Sequence, residues 1–513
     1  MDTTPGTAGT PTARTVSALV VGAGFGGIAA AVELRNRGVT DLTVLEKADR
    51  VGGVWRENTY PGAACDVPSS LYSYSFAPNP DWPRRYAAQP DILAYIERVA
   101  REEGLDDLVT TGTEVVEARW DDGAHRWTVR TRRDGSEGPT YETDVLVFAQ
   151  GQLSRPAVPD LPGRDTFTGP AFHSAAWDHS VEWSGKRVAV IGTGASAIQF
   201  VPHLAEAVGD TGRVTVFQRS APYVVPKPDR GYTRAHLQAF EKVPLTQAFG
   251  RELTRFGSEQ LNRTLGEQGR MTSLLETAFR LHLRHQVSDP ALRAKLQPDY
   301  PIGCKRLLFS NDWYPALVRD NVDVVTHGVA GVDADGVATD DGAHHDVDVI
   351  VWGTGFRATE FLAPVEVVGR DGHPLAEEWR GGAHAHLGIS VPGFPNAFVV
   401  YGPNTNLGGS SIISMIECQT GYLGQAVAAL QEGRADVVEV RRDVAERYDA
   451  EMQDRLSRSV WASGCSSWYQ SPGGRVTTNW PGQVQEYRER TAELDLTEFR
   501  LERVPAGTFP ATR

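Results

Sequence analysis

Hydrophobic and polar positions alternate between two patterns along this chain. Short, wholly apolar runs at 18–21, 42–45, 145–148, 188–191, 214–217, 322–325 and 347–352 read as strands. Runs without polar interruption suit parallel strands covered on both faces. Residues 28–37 and 198–207 carry a helical pattern instead. At 22–27 and again at 192–197 a strand passes into such a helix through a glycine-rich turn, which predicts two βαβ units in separate domains.

Between 119 and 141 the alternation around Trp127, Val129 and Arg130, with an Asp134-Gly135 turn, predicts a β-meander. A proline-rich run at 156–162 reads as a linker. From 222 to about 301 the pattern changes to long charged helices, with apolar residues at mixed three and four spacing over 253–281. A strand at 398–401 and a helix at 413–430 then return the chain to the earlier sheets. The fold class is α/β: two Rossmann-like dinucleotide-binding domains with a helical insertion.

A chain of 513 residues is too long for one ordinary core. Its net charge of -14 argues against a nucleic-acid or anionic-membrane partner, so any phosphate must be met by local basic residues. No run is apolar enough to span a bilayer. Residues 1–15, rich in Thr, Pro, Gly and Ala, read as a disordered tail and not a signal peptide. Cys65, Cys304, Cys418 and Cys465 lie far apart with no metal-ligand spacing, so neither a disulfide framework nor a metal site is expected, and the compartment is read as reducing and cytoplasmic. Oligomeric state is open.

The first turn, Gly22-Ala-Gly24-Phe25-Gly-Gly27, has GxGxxG spacing: one glycine for the tight turn, one for close approach to a pyrophosphate, one for packing helix on strand. The next strand ends in Glu46, where a carboxylate accepts from both hydroxyls of an unphosphorylated ribose. The second turn, Gly192-Thr193-Gly194-Ala-Ser196-Ala197, keeps the spacing with alanine in third place. Its next strand ends in Gln218-Arg219-Ser220, a cation and a hydroxyl suited to a 2′-phosphate. The pairing points to FAD at the first site and NADPH at the second, with hydride transfer between them. The FAD domain is then 16–150 and 383–513, ending in a lid; the NADP domain is 151–221 and 321–382; the helical insertion is 222–320.

Three further segments carry a resemblance: Val51-Gly-Gly-Val54-Trp55, Tyr60-Pro-Gly-Ala-Ala-Cys65-Asp66, and Phe167-Thr-Gly169-Pro-Ala-Phe-His173-Ser-Ala-Ala-Trp177-Asp178. The last resembles the FxGxxxHxxxW(P/D) fingerprint of type I Baeyer–Villiger monooxygenases at every defined position. Val351-Trp-Gly-Thr-Gly355-Phe356 and Pro392-Gly-Phe-Pro-Asn-Ala-Phe398 look like later landmarks of that family. The resemblance implies cofactor contacts from Val54, Trp55, Tyr72, Val115 and Trp480, a flavin-side role for Asp66, and 2′-phosphate contacts from Arg219 and Lys305. Cys304-Lys305-Arg306 resembles the family's Lys-Arg pair, whose arginine reaches the flavin. His173 is read as setting domain geometry and Trp177 as packing. Ala149-Gln150-Gly151 departs from the family's ATG turn by one side chain.

The implied reaction is oxygen insertion beside a ketone carbonyl, from dioxygen through a peroxyflavin, giving an ester or lactone. Arg306 would stabilise developing negative charge and Asp66 would orient it. A sibling enzyme oxygenating nitrogen or sulfur is the nearer alternative, and a non-catalytic flavoprotein redox sensor the remoter one. A disulfide reductase is disfavoured, since no paired cysteines follow the first glycine turn. The aromatic stretch 461–480 reads as a lid over the nicotinamide, or as core for Trp461 and Trp468. Gly408 and Gly409 are expected to leave unfilled volume in the substrate pocket and so to admit bulky ketones.

Overall fold

The computed structural model describes residues 16–503 apart from 267–268, 463, 465–466 and 472. The expected tail at 1–15 lies outside the described residues. Two five-stranded sheets, each parallel throughout, form the frame. The first runs Ala397–Val399, Val145–Phe148, Ser17–Val21, Asp41–Leu45, Val109–Thr110. The second runs Ala171–His173, Val349–Trp352, Arg187–Ile191, Arg213–Phe217, Val322–Val325. Strand for strand the central three match: the strand before each glycine turn lies in the middle, flanked by the strand that follows its helix and by one that returns from a meander.

The strands are Val-rich and buried on both sides, helices covering one face and an antiparallel meander the other. Helix Phe25–Asn36 shows why: its Ala29-Ala30-Ala31 run has almost no exposed surface, and small side chains let it press between the first sheet and helix Ile412–Gln431. Its counterpart Ala197–Ala207 packs Ile198, Phe200, Val201 and Leu204 onto the second sheet.

Each unit carries an antiparallel meander before its returning strand. In the first, Thr113–Asp121, Arg126–Arg133 and Ser136–Thr143 turn through Asp134 and Gly135, both at positive φ. In the second, Val329–Val332, Gly336–Thr339 and His344–Asp346 play the same part. Glu366–Val368 pairs with Thr113–Asp121, so the chain is back on the first unit before residue 382, where the sequence pattern put the crossing.

The insertion is mainly helical, with Arg234–Lys242, Pro244–Gly266, Arg270–Gln286 and Pro290–Lys295, and is tied in by the short parallel pair Val224–Val225 and Leu308–Phe309. No described helix is long and apolar enough to cross a membrane. Cys65 and Cys418 are free, but Cys304, fully buried, is disulfide-bonded; the spacing argument that predicted reduced thiols does not see contacts made by distant chain.

Candidate active site

A cavity of about 1150 Å³ runs between the two glycine turns. It is bounded at one end by Gly22, Gly24, Phe25 and Glu46, and at the other by Gly192, Thr193, Gly194 and Ser196. Val54, Trp55, Asp66, Tyr72 and Val115 line it from the first unit. Arg219, Ser220, Lys305 and Arg306 line it from the second unit and the insertion. Gly27 and Ala197 are buried outside the cavity lining; a Cβ on Gly27 would lie 1.8 Å from Gly22 O, so that position has no room for a side chain.

The turns are held alike. Gly22 N donates to Leu45 O at 2.8 Å, and Gly192 N to Phe217 O at 3.0 Å. Each first glycine has positive φ, and a Cβ there would lie 2.7 Å from Ala149 O or 2.4 Å from Gly353 O. Only glycine tolerates that approach.

Glu46, almost wholly buried, accepts from Ala23 N at 2.9 Å and Ala48 N at 3.0 Å, with Arg56 Nη1 at 3.2 Å from Oε1. These donors supply the buried carboxylate with hydrogen-bond partners, and Glu46 also lines the cavity. Trp55 Nε1 donates to Tyr72 Oη at 3.0 Å, and Phe25 packs edge-on against Tyr72. In the second unit Arg219 is exposed, and Lys305 Nζ donates to Ser220 Oγ at 2.7 Å. Thr193 Oγ1 donates to Ser220 O at 3.2 Å, tying that strand end to the turn. Burial first, then the neighbouring Arg219 cation, pushes the Lys305 ammonium down. Neither cation has an ion-pair partner among the described residues, an arrangement that an anion would relieve.

Asp66 and Arg306, 240 residues apart, meet between the two ends. Nε and Nη2 of Arg306 donate to the carboxylate at 2.8 to 3.0 Å. Those bonds leave Nη1 out of the fork. The Asp66 carboxylate raises the guanidinium pKa against the opposing cost of burial, so Arg306 is fixed in its charged form. Asp66 is placed by its loop, which docks on the second unit: Gln199 Nε2 donates to Ala64 O at 2.9 Å, and Tyr60 Oη donates to Gln199 Oε1 at 3.0 Å. Burial and the Asp66 charge push the adjacent Cys65 thiol up to about 12, which rules out a thiolate there at neutral pH.

His173 ends strand Ala171–His173 and makes its hydrogen bonds inside the second unit, not between the two domains as the fingerprint reading had it. Nδ1 accepts from Ala175 N at 3.1 Å, so Nε2 carries the proton and donates to Gly355 O at 2.9 Å. Burial lowers its pKa and both ring nitrogens are occupied, so it braces the second unit against the 353–356 turn. Trp177 packs against Tyr60 and Phe200.

One expectation is corrected. Trp480 does not line the cavity: it is fully buried against Tyr487, its indole N–H donating to Gln483 O at 3.0 Å. An aromatic among glycines reads as a lid, but local chain closes over this one. The glycines at 408 and 409 line a second, smaller cavity, while a Cβ on Gly409 would lie 3.3 Å from Asn262 N and Leu261 Cγ of helix Pro244–Gly266. In the aromatic tail Trp461 is core, while Trp468 lines the cavity and packs on Tyr469.

Sequence reasoning missed Tyr401 and Gln152. Tyr401 sits just past strand Ala397–Val399, where the crevice of a parallel sheet opens, and lines the cavity; burial pushes its phenol pKa up against the opposing pull of the Arg306 cation. Gln152 Nε2 donates to Tyr401 O at 3.1 Å. Its Oε1 and that of Gln150 are buried without a hydrogen-bond partner among the described residues, and both residues line the cavity.

Residues 19–254 match the family model described as pyridine nucleotide-disulphide oxidoreductase. The chain is 45% identical over 489 residues to a Baeyer-Villiger monooxygenase of Streptomyces coelicolor, covering 95% of this chain and 92% of that one. This chain belongs to the Baeyer–Villiger monooxygenases. They are flavin monooxygenases driven by NADPH, and the disulphide chemistry in the description of the matching model does not carry over, given the missing cysteine pair and the raised Cys65 thiol. Among solved structures, oxidized steroid monooxygenase bound to NADP superposes with a TM-score of 0.84 at 33% identity, over 96% of this chain and all of that one. The complex of OTEMO with FAD and NADP gives 0.84 at 26%, with the same coverage.

Proposed function

We propose that this Baeyer–Villiger monooxygenase inserts one oxygen atom of dioxygen beside the carbonyl of a small-molecule ketone, giving an ester or lactone. The residues fit both cofactors. FAD would be held by the Gly22 turn, Glu46, Val54, Trp55, Tyr72 and Val115; the unpartnered Gln150 and Gln152 oxygens offer it further acceptors. NADPH would be held by the Gly192 turn with Thr193 and Ser196, and its 2′-phosphate by Arg219, Ser220 and Lys305. When bound, the pair supplies hydride and activates dioxygen.

The observation that carries the ketone reading is the pinning of Arg306 on Asp66 through Nε and Nη2. Oxygen insertion develops negative charge on the carbonyl oxygen, and a guanidinium charged at every working pH, oriented in advance, stabilises it without reorganisation. Asp66 holds the fork and leaves Nη1 for the substrate. Oxygenation of nitrogen or sulfur needs no such cation.

The test is mass analysis after incubating the yellow protein with NADPH, air and a panel of ketones. Products heavier by one oxygen, as esters or lactones, are expected. Sulfoxide from added thioethers with no ester from any ketone would overturn the reading in favour of the sibling chemistry.

A further inference from the structure

Residues 407–410 form a wall that joins strand Ala397–Val399 and its turn to helix Ile412–Gln431. The wall, together with Leu253, Gly257 and Leu261 of helix Pro244–Gly266, encloses a second cavity of about 290 Å³ that also reaches Asp66 and Arg306. A ketone whose carbonyl is addressed by Arg306 has this wall beside it.

The outer half of the helix does not hold the wall by apolar burial, although nearer the wall Leu261 packs beside Gly409. Along its outer half Leu245, Phe249, Leu253 and Phe256 are 62 to 78% exposed. The same half reaches the first unit through polar groups, Arg251 Nη1 donating to Ser70 O at 2.7 Å and Ser73 O at 3.0 Å. What fixes the wall is one side chain. Asn262, 4% exposed, accepts at Oδ1 from Gly408 N at 3.0 Å and Gly409 N at 3.2 Å, and its Nδ2 donates to Gly482 O at 3.2 Å. The two adjacent glycines now have a reason: a side chain on either would meet this contact, at 3.4 Å from Asn262 Oδ1 for Gly408 and 3.3 Å from Asn262 N for Gly409.

We propose that Asn262 is a positioning residue that sets the distance between the substrate wall and Arg306, acting through Gly408 and Gly409 and bracing against the 482 segment. The proposal rests on the ketone reading above. Two backbone N–H groups deprived of their acceptor cannot stay where they are at low cost, so without Asn262 the wall moves and the ketone loses its seat. The cofactor ends of the large cavity share no residue with this clamp.

The experiment compares Asn262→Ala, Gly409→Ala and the double variant with the wild type. With Asn262→Ala, KM for the ketone should rise about tenfold or more, and the share of NADPH ending in ester should fall in favour of hydrogen peroxide. Flavin content and the rate of flavin reduction by NADPH without ketone should stay within about twofold of wild type. Gly409→Ala pushes the wall off the helix from the other side and should shift KM in the same direction. Because both break one contact, the double variant should be no worse than the poorer single one. Should Asn262→Ala fail to fold, Gly409→Ala alone decides. Unchanged KM and ester yield, additive effects in the double variant, or a loss shared equally by flavin reduction would each overturn the positioning role. Failure of the wild type to make ester from any ketone would instead sink the ketone reading.

Discussion

The turns at Gly22 and Gly192 are built alike, down to the carbonyl that each first glycine presses against and the strand end that each backbone N–H bonds. They part at the end of the next strand. There the first unit presents Glu46, buried and fed by three donors, while the second presents Arg219 and Ser220, joined by Lys305 from the insertion. The shared part answers to what all dinucleotides have in common, a pyrophosphate that needs bare backbone. On the cofactor assignment proposed above, the differing part answers to one ribose position. A scaffold used twice can thus be given two cofactors by changing a few side chains at one strand end.

The largest expected effect breaks the likeness at the third position of the turns. A Cβ on Gly27 would lie 1.8 Å from Gly22 O, whereas the second unit carries Ala197 there naturally. Gly27→Ala should therefore purify without flavin, read from visible absorbance. A fully yellow variant would show that the first turn is not the tighter of the two.

Next in size is the point where the units meet. Removing one oriented donor to a developing oxyanion costs about 2.7–4 kcal/mol, or roughly a hundredfold or more in rate. Arg306→Ala should keep its flavin, be bleached by NADPH and reoxidised by air with release of hydrogen peroxide, yet form little ester. Stopped-flow absorbance with product analysis checks this, and near-normal ester yield would send the search to other cations.

Arg219→Ala sharpens the contrast between strand ends. It should weaken NADPH by about 1.5–3 kcal/mol, the value of a hydrogen bond to a charged group, and leave NADH almost untouched. The ratio of kcat/KM for the two cofactors reads it directly; equal losses would mean that Arg219 does not meet the 2′-phosphate.

The smallest effect concerns the brace of the second unit. Folding lowers the His173 pKa through burial, so the fold holds the neutral ring. Its contribution is full above the unfolded value of about 6.5 and is lost as pH falls through the lower folded value. Thermal melts of wild type should decline below about pH 6.5 more steeply than those of His173→Asn. Parallel curves would remove His173 from the acid response.

Much of this was legible in order along the chain. Strand, glycine turn, helix and terminal charge follow one another within a few dozen residues, because backbone freedom and side-chain periodicity are local properties. Glu46 and Arg219 could be assigned opposite tasks from their positions alone. The Asp66 and Arg306 pairing was implied only by family resemblance, since no periodicity links residues so far apart.

What the amino-acid sequence by itself determined, then, is two parallel-sheet units and the charge that each carries at the end of its second strand, which depend on neighbours in the chain. Tertiary structure decided the rest. It closed Tyr487 and Gln483 over Trp480, brought Glu366–Val368 back to the first unit, and laid Asn262 against Gly408 and Gly409. Each of these depends on which distant surfaces come into contact, and close packing between segments leaves no trace in local pattern beyond the small residues that permit it.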